Sequence, residues 1–237
     1  MNVEQLLEQS KPFLAYILDW EASLKPLDLA GVVDGDAGKV AVVSVDVING
    51  FCYEGPLASP RVAGIIAPIT ELFKRSYRAG VRHFIVTQDT HPPDSVEFEN
   101  YPPHCVRGTP ESEAVPEFQE LPFWNEFKVI PKNSINSVIG TGLDGWLDEH
   151  PDVDTFITVG DCTDLCTYQL AMHLKLRGNA ANRKVRVILP VDCVDTYDLP
   201  VETAHEIGAV PHDGDLLHHV FLYSMMLNGI EVVARVE

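Results

Sequence analysis

The sequence predicts an α/β fold: a six-stranded, mainly parallel sheet with helices on both faces. Two apolar runs, Val40-Ala41-Val42-Val43-Ser44-Val45 and Thr155-Phe156-Ile157-Thr158-Val159, have the composition of strands buried on both faces. Segments of helical spacing separate such runs along the chain. Strand-then-helix alternation is the pattern of parallel strands joined by helical crossovers. A chain of 237 residues is long enough to bury one substantial core.

The elements follow in order. Residues 3–20 carry Leu6, Leu7, Phe13, Leu14, Ile17 and Leu18 at roughly helical spacing. Residues 21–38 are irregular and acidic, with Gly31, Gly35 and Gly38. The chain therefore divides into an N-terminal helix and arm, 1–38, and a core domain, 39–237. The first strand is expected at 40–45, a helix at 61–79 and a second strand at 81–87. Residues 88–125 are rich in proline and acidic side chains, and a loop that long in a compact domain is more often functional than idle. A third strand is expected at 127–130, a short helix at 140–148 and a fourth strand at 154–159. A helix at 164–177, a fifth strand at 185–189, helices at 201–209 and 216–228, and a sixth strand at 230–233 complete the pattern.

Composition bounds the partners. The net charge of −18 repels phosphate backbones, so no nucleic-acid partner is expected. Five cysteines, an odd number without framework spacing, argue against a secreted disulfide scaffold. The opening residues have no basic region followed by an apolar run, so neither a signal peptide nor a membrane span is expected. A reducing, cytoplasmic location is the expectation.

Three polar residues fall at the carboxyl ends of predicted strands: Asp46, Lys132 and Cys166. A parallel sheet gathers these ends at one edge, where ligands of such folds bind. Cys166 stands where a strand hands over to a helix, and free amides at a helix N-terminus stabilise a thiolate or an oxyanion. Asp46 can take the thiol proton, and Lys132 can hold that carboxylate ionised and lower the thiol pKa. Taken singly, the cysteine also reads as a small core hydrophobe, the aspartate as a turn residue and the lysine as solvated. Their joint placement favours chemistry. In the long loop, Asp89 and His91 stand two residues apart on one side of an extended chain, and His104 follows paired prolines. A carboxylate and two imidazoles suit a divalent metal with open positions; ordinary hydrogen-bonding loop histidines are the alternative. Glu97 is either a further ligand or a solvated acid.

These motifs carry a resemblance. The run Val45-Asp46-Val47-Ile48-Asn49-Gly50-Phe51-Cys52 resembles the opening aspartate motif of the isochorismatase-like cysteine hydrolases. Asp89-Thr90-His91-Pro92-Pro93-Asp94 and Pro102-Pro103-His104-Cys105 resemble the metal loop of the nicotinamidases within that family. Lys132-Asn133-Ser134 and the run from Gly160 to Cys166 resemble its lysine and nucleophile motifs. The resemblance spans about residues 39–195.

It implies a catalytic set of Asp46, Lys132 and Cys166, and an oxyanion hole from the amides of Cys162 and Cys166. It implies metal ligands Asp89, His91 and His104, with Glu97 a further candidate, and aromatic walls Phe51 and Tyr101. A cis peptide is expected at Asp161–Cys162. The cofactor implied is one divalent metal, zinc first, with iron or manganese as alternatives. The activity implied is deamidation of a small amide, nicotinamide to nicotinate and ammonia, by an enzyme expected to be a homo-oligomer. A carbamoyl or other small-amide hydrolase, a vinyl-ether hydrolase and a non-catalytic binding protein of the same fold are the alternatives. Three departures stand out. Gly50 replaces the usual aspartate, Gly160-Asp161-Cys162 is more polar than the usual apolar lead-in, and the C-terminal segment is longer than typical. Its His205, His212, His218 and His219 read as surface or core residues rather than as a second metal site.

Overall fold

A computed structural model describes residues 1–237. The chain opens with α1 (Val3–Ala22), capped by Asn2, whose side chain accepts from the Gln5 amide. Strand β1 (Val40–Val45) leads through α2 (Ile66–Arg78) to β2 (His83–Asp89). The long loop then reaches β3 (Lys128–Lys132), followed by α3 (Leu143–Glu149) and β4 (Thr155–Gly160). Next come α4 (Cys166–Ala180), β5 (Arg186–Pro190), α5 (Val201–Ile207), α6 (Gly214–Leu227) and β6 (Glu231–Val233). The six strands form one sheet in the order β3-β2-β1-β4-β5-β6, and every pairing is parallel, where the sequence predicts a mainly parallel sheet.

Side chains alternate across the sheet. Val40 and Val42 face α2, where Ile66, Ile69, Leu72 and Phe73 bury. Ala41, Val43 and Val45 face α3, α4 and α6, where Trp146, Leu170, Leu174 and Met225 bury. This two-sided burial is why β1 and β4 read as unbroken apolar runs, and both are buried at every position.

Several boundaries differ from expectation. The predicted helix 61–79 is broken at Ile65 into Pro60–Gly64 and α2. β3 runs to Lys132, two residues beyond the apolar signal, because Pro131 and Lys132 still pair with Gln88 and Asp89 of β2. The long loop holds short helical turns at Val96–Glu99, Pro110–Ser112, Pro116–Gln119 and Trp124–Glu126. Such turns are too brief to leave a periodic signature.

Phe13, Tyr16 and Trp20 of α1 pack edge-on around Tyr223 of α6. The following arm pairs with the C-terminus: Leu27 donates to the Arg235 carbonyl at 2.8 Å and Glu237 donates to the Leu27 carbonyl at 2.9 Å. No helix is long and apolar enough to cross a membrane.

Candidate active site

The topology delivers four chemical residues to one edge. Asp46 follows β1 directly and takes a left-handed backbone, φ 56°. Asp89 and Lys132 end β2 and β3, paired in register. Cys166 is the first residue of α4. The three residues expected to meet, Asp46, Lys132 and Cys166, do meet. Lys132 Nζ lies 2.7 Å from Asp46 Oδ2, 2.6 Å from Asp89 Oδ1 and 3.7 Å from Cys166 Sγ. The Asp89 amide donates to Asp46 Oδ1 at 2.8 Å, and a carboxylate oxygen of Asp46 lies within 4.8 Å of the thiol.

All four side chains are buried. Burial and the charge of Asp89 push the Asp46 carboxyl up to about 7, with Lys132 opposing them. Burial works against the Lys132 ammonium, but Asp46 and Asp89 together hold its pKa well above the ordinary value. Burial pushes the Cys166 thiol well up, and Lys132 only partly offsets this. Lys132 therefore acts on the thiol in the expected direction, yet the resting sulfur is a neutral thiol. An adjacent base must take its proton before it can attack.

The turn before Cys166 is set by close approach. Gly160 has φ +116°, and a Cβ there would lie 2.0 Å from the Val45 carbonyl oxygen. The Asp161–Cys162 peptide is cis, as expected. The Leu165 and Thr167 amides both donate to the Cys162 carbonyl at 3.1 Å. The Cys162 and Cys166 amides donate to no backbone carbonyl, which leaves both N–H groups without a backbone acceptor.

Beside this cluster, Asp89, His91, Glu97 and His104 bring one donor atom each to within 4.8 Å of one another. His91 Nδ1 meets Asn133 Oδ1 at 2.8 Å and His104 Nδ1 meets the Pro102 carbonyl at 2.8 Å. Both Nε2 atoms thus turn toward Asp89, at 3.5 and 3.9 Å. The His91 Nε2 is buried without a hydrogen-bond partner. Oriented imidazoles with an unsatisfied inward nitrogen are what a metal requires. Two carboxylates against one ammonium also leave a buried negative excess that a cation would neutralise. The residues present fit a divalent ion, and Glu97 stands within the donor set. Glu21, His218 and His219 gather too, but His219 pairs with Glu21 and His218 with Thr163.

Phe51, Tyr101, Glu97 and His104 line a pocket that reaches Cys162 and Cys166, with about 490 Å³ of empty space including its mouth. Leu57, Val62, Ile135, Asp161, Leu165 and Tyr197 also line it and were not legible from sequence as pocket walls. The departure at Gly50 has a steric reason. A Cβ there would lie 2.5 Å from Cys105 Sγ and 3.0 Å from the Glu111 carbonyl oxygen. Glu111 instead accepts from the Cys105 amide at 3.0 Å.

Fold and site together define a parallel α/β hydrolase-type pocket with a thiol at a helix start. The isochorismatase domain model matches residues 40–209, and the chain belongs to that family. It is 33% identical over 222 residues to Nicotinamidase 1 of Arabidopsis thaliana, covering 84% of this chain and 86% of that one. It is 30% identical over 186 residues to the nicotinamidase/pyrazinamidase of Mycobacterium tuberculosis, covering 70% and 93%. Among solved structures it is similar in fold to a pyrazinamidase of Pyrococcus horikoshii in complex with zinc. That match has TM-score 0.63 and 23% identity, covering 82% of this chain and 98% of that one.

Proposed function

We propose that the protein hydrolyses nicotinamide to nicotinate and ammonia through a thioester on Cys166. The observation that carries this reading is the buried contact of one ammonium, Lys132, with Asp46, Asp89 and the Cys166 thiol. Similarity to two nicotinamidases supports the choice of amide.

Asp46 accepts the proton of the Cys166 thiol, and Sγ attacks the carboxamide carbon. The free amides of Cys162 and Cys166 hold the resulting oxyanion, an effect worth about 10²–10³ in rate per donor. The carbon–nitrogen bond then breaks, and the proton on Asp46 passes to nitrogen, which leaves as ammonia. Water attacks the thioester carbon and gives its proton to Asp46. The carbon–sulfur bond breaks, sulfur recovers that proton, and nicotinate departs. Lys132 keeps Asp46 and Asp89 paired throughout. Phe51 and Tyr101 flank a flat ring. A divalent ion, zinc first with iron or manganese as alternatives, would be held by Asp89, His91 and His104 with Glu97 beside them, and would supply an electron-pair acceptor for the ring nitrogen. An aliphatic carbamoyl substrate would leave that donor set without a use.

The test is ammonia release from nicotinamide by purified protein beside Cys166→Ala, with metal measured on the same samples. Turnover in the wild type, its loss in the variant and about one metal per chain in both are expected. Metal without nicotinamide turnover would sink the nicotinamide assignment. Turnover that survives Cys166→Ala would sink the thioester.

A further inference from the structure

The turn that carries Cys166 is gripped from behind by a segment that the family model does not reach. Its match ends at residue 209, and His212 lies beyond it. Asp164, inside the nucleophile turn, is 7% exposed, and His212 is 8% exposed. Asp164 Oδ2 accepts from His212 Nε2 at 2.9 Å, and Asp164 Oδ1 accepts from Thr196 Oγ1 at 2.7 Å. The other ring nitrogen, His212 Nδ1, donates to the Tyr197 carbonyl at 2.9 Å. Both imidazole nitrogens face acceptors, so both carry protons and the ring is an imidazolium. The ring also stacks on Tyr197, with centroids 3.9 Å apart and planes inclined by 19°. Tyr197 in turn lines the pocket that opens onto the thiol. One side chain thus touches the supports of both the reacting sulfur and the pocket wall.

The neighbouring contact has the same direction. The Thr163 amide donates to the Asp195 carbonyl at 3.0 Å, and Thr163 Oγ1 meets His218 Nδ1 at 2.8 Å. Two consecutive turn residues are therefore anchored to the C-terminal segment, one through a buried charge pair. Burial disfavours the charged ring, and the carboxylate of Asp164 outweighs it, so the ring is held above its ordinary pKa.

We propose that His212 is a positioning residue: by gripping Asp164 and backing Tyr197 it fixes the Cys162 and Cys166 amides and one pocket wall relative to the thiol. The proposal rests on the cysteine-hydrolase reading above. Its physical basis is that displacements near 1 Å in a reacting site cost on the order of 10²-fold in rate. A residue that only stabilises the fold would leave the chemistry of each folded molecule untouched.

Three readouts separate the two. The first is kcat for nicotinamide per folded molecule in His212→Ala. The second is the rate of Cys166 alkylation by iodoacetamide, followed on the Cys166 peptide by mass spectrometry, which needs no substrate. The third is rescue by free imidazole, which can refill the space beside Tyr197. Expected for His212→Ala are a kcat lower by about 10–100-fold with KM changed less than about threefold. The alkylation rate should shift by at least about threefold, and imidazole should restore a clear part of kcat. Asp164→Asn should give a similar loss, and the double variant should be no worse than either single one. Unchanged kcat and alkylation rate in folded His212→Ala overturn the proposal, as does strict additivity with Asp164→Asn. Should His212→Ala not fold, His212→Phe keeps a ring against Tyr197 and removes both N–H donors, and unchanged kcat and alkylation rate there overturn the proposal too. If wild type releases no ammonia while the alkylation rate still shifts in His212→Ala, the nicotinamide reading fails and the positioning role stands.

Discussion

A carboxyl group buried beside another carboxylate holds its proton more tightly than one in water, and Asp46 is such a group, at about 7. That places a proton acceptor near neutrality next to a thiol that burial keeps protonated. Asp46→Asn keeps the shape and removes the base. Ammonia release should fall by about 10²–10⁴-fold in this variant, and a loss under tenfold would mean another group takes the proton. In the wild type, activity should be lost on the acid side, because an Asp46 that already carries a proton is too weak a base to take the thiol proton. Much of this residue set was legible in the sequence, since a parallel sheet gathers strand ends and Asp46, Lys132 and Cys166 sit at such ends. The residues that hold them were not. Asn133, against His91, adjoins Lys132 in sequence and was a findable neighbour. His212 is 48 residues from Asp164, and no spacing rule connects a turn to a loop across that distance.

At the scale of elements, the strand–turn–helix unit from β4 to α4 carries the tightest constraint. Gly160 has no room for a methyl group against β1 and sits at a φ that other residues avoid. Gly160→Ala should destabilise by about 3 kcal/mol or more, read by denaturant midpoint at unchanged m-value. A cost below about 1 kcal/mol would show that β1 and the turn part easily. The periodic elements were the readable ones, because β1 and β4 bury both faces and α4 follows directly. The loop between β2 and β3 was readable only as long and functional. Its short turns are fixed by contacts such as the Glu111 carboxylate on the Cys105 amide, which leave no repeating pattern.

For the whole molecule, the Asp164–His212 pair ties the C-terminal segment to the sheet edge and makes stability depend on pH. His212 is raised from 6.5: burial opposes its charge, and Asp164 outweighs burial. Its contribution is full below 6.5 and is lost as pH rises through the raised folded value. Asp164 is lowered from 3.8, where burial is outweighed by its bonds to His212 and Thr196. Its contribution is present above 3.8 and is lost as pH falls through the lowered folded value. The pair therefore stabilises most between 3.8 and 6.5. Wild type should exceed His212→Ala by roughly 1–3 kcal/mol near pH 5, with the gap closing toward pH 9. Thermal melts of both proteins across that range check this, and a gap that is flat with pH refutes the ionic pairing. The strand order has a further consequence, for the growing chain. β1 is the first strand synthesised and lies inside the sheet, flanked by β2 and β4. β2 and then β3 extend one side, and β4, β5 and β6 extend the other. Every strand can dock on a free edge as it leaves the ribosome, with no insertion between partners already paired. That order allows Asp46, Asp89 and Lys132 to come together before Cys166 is synthesised, so that the thiol can join a cluster of charge already in place.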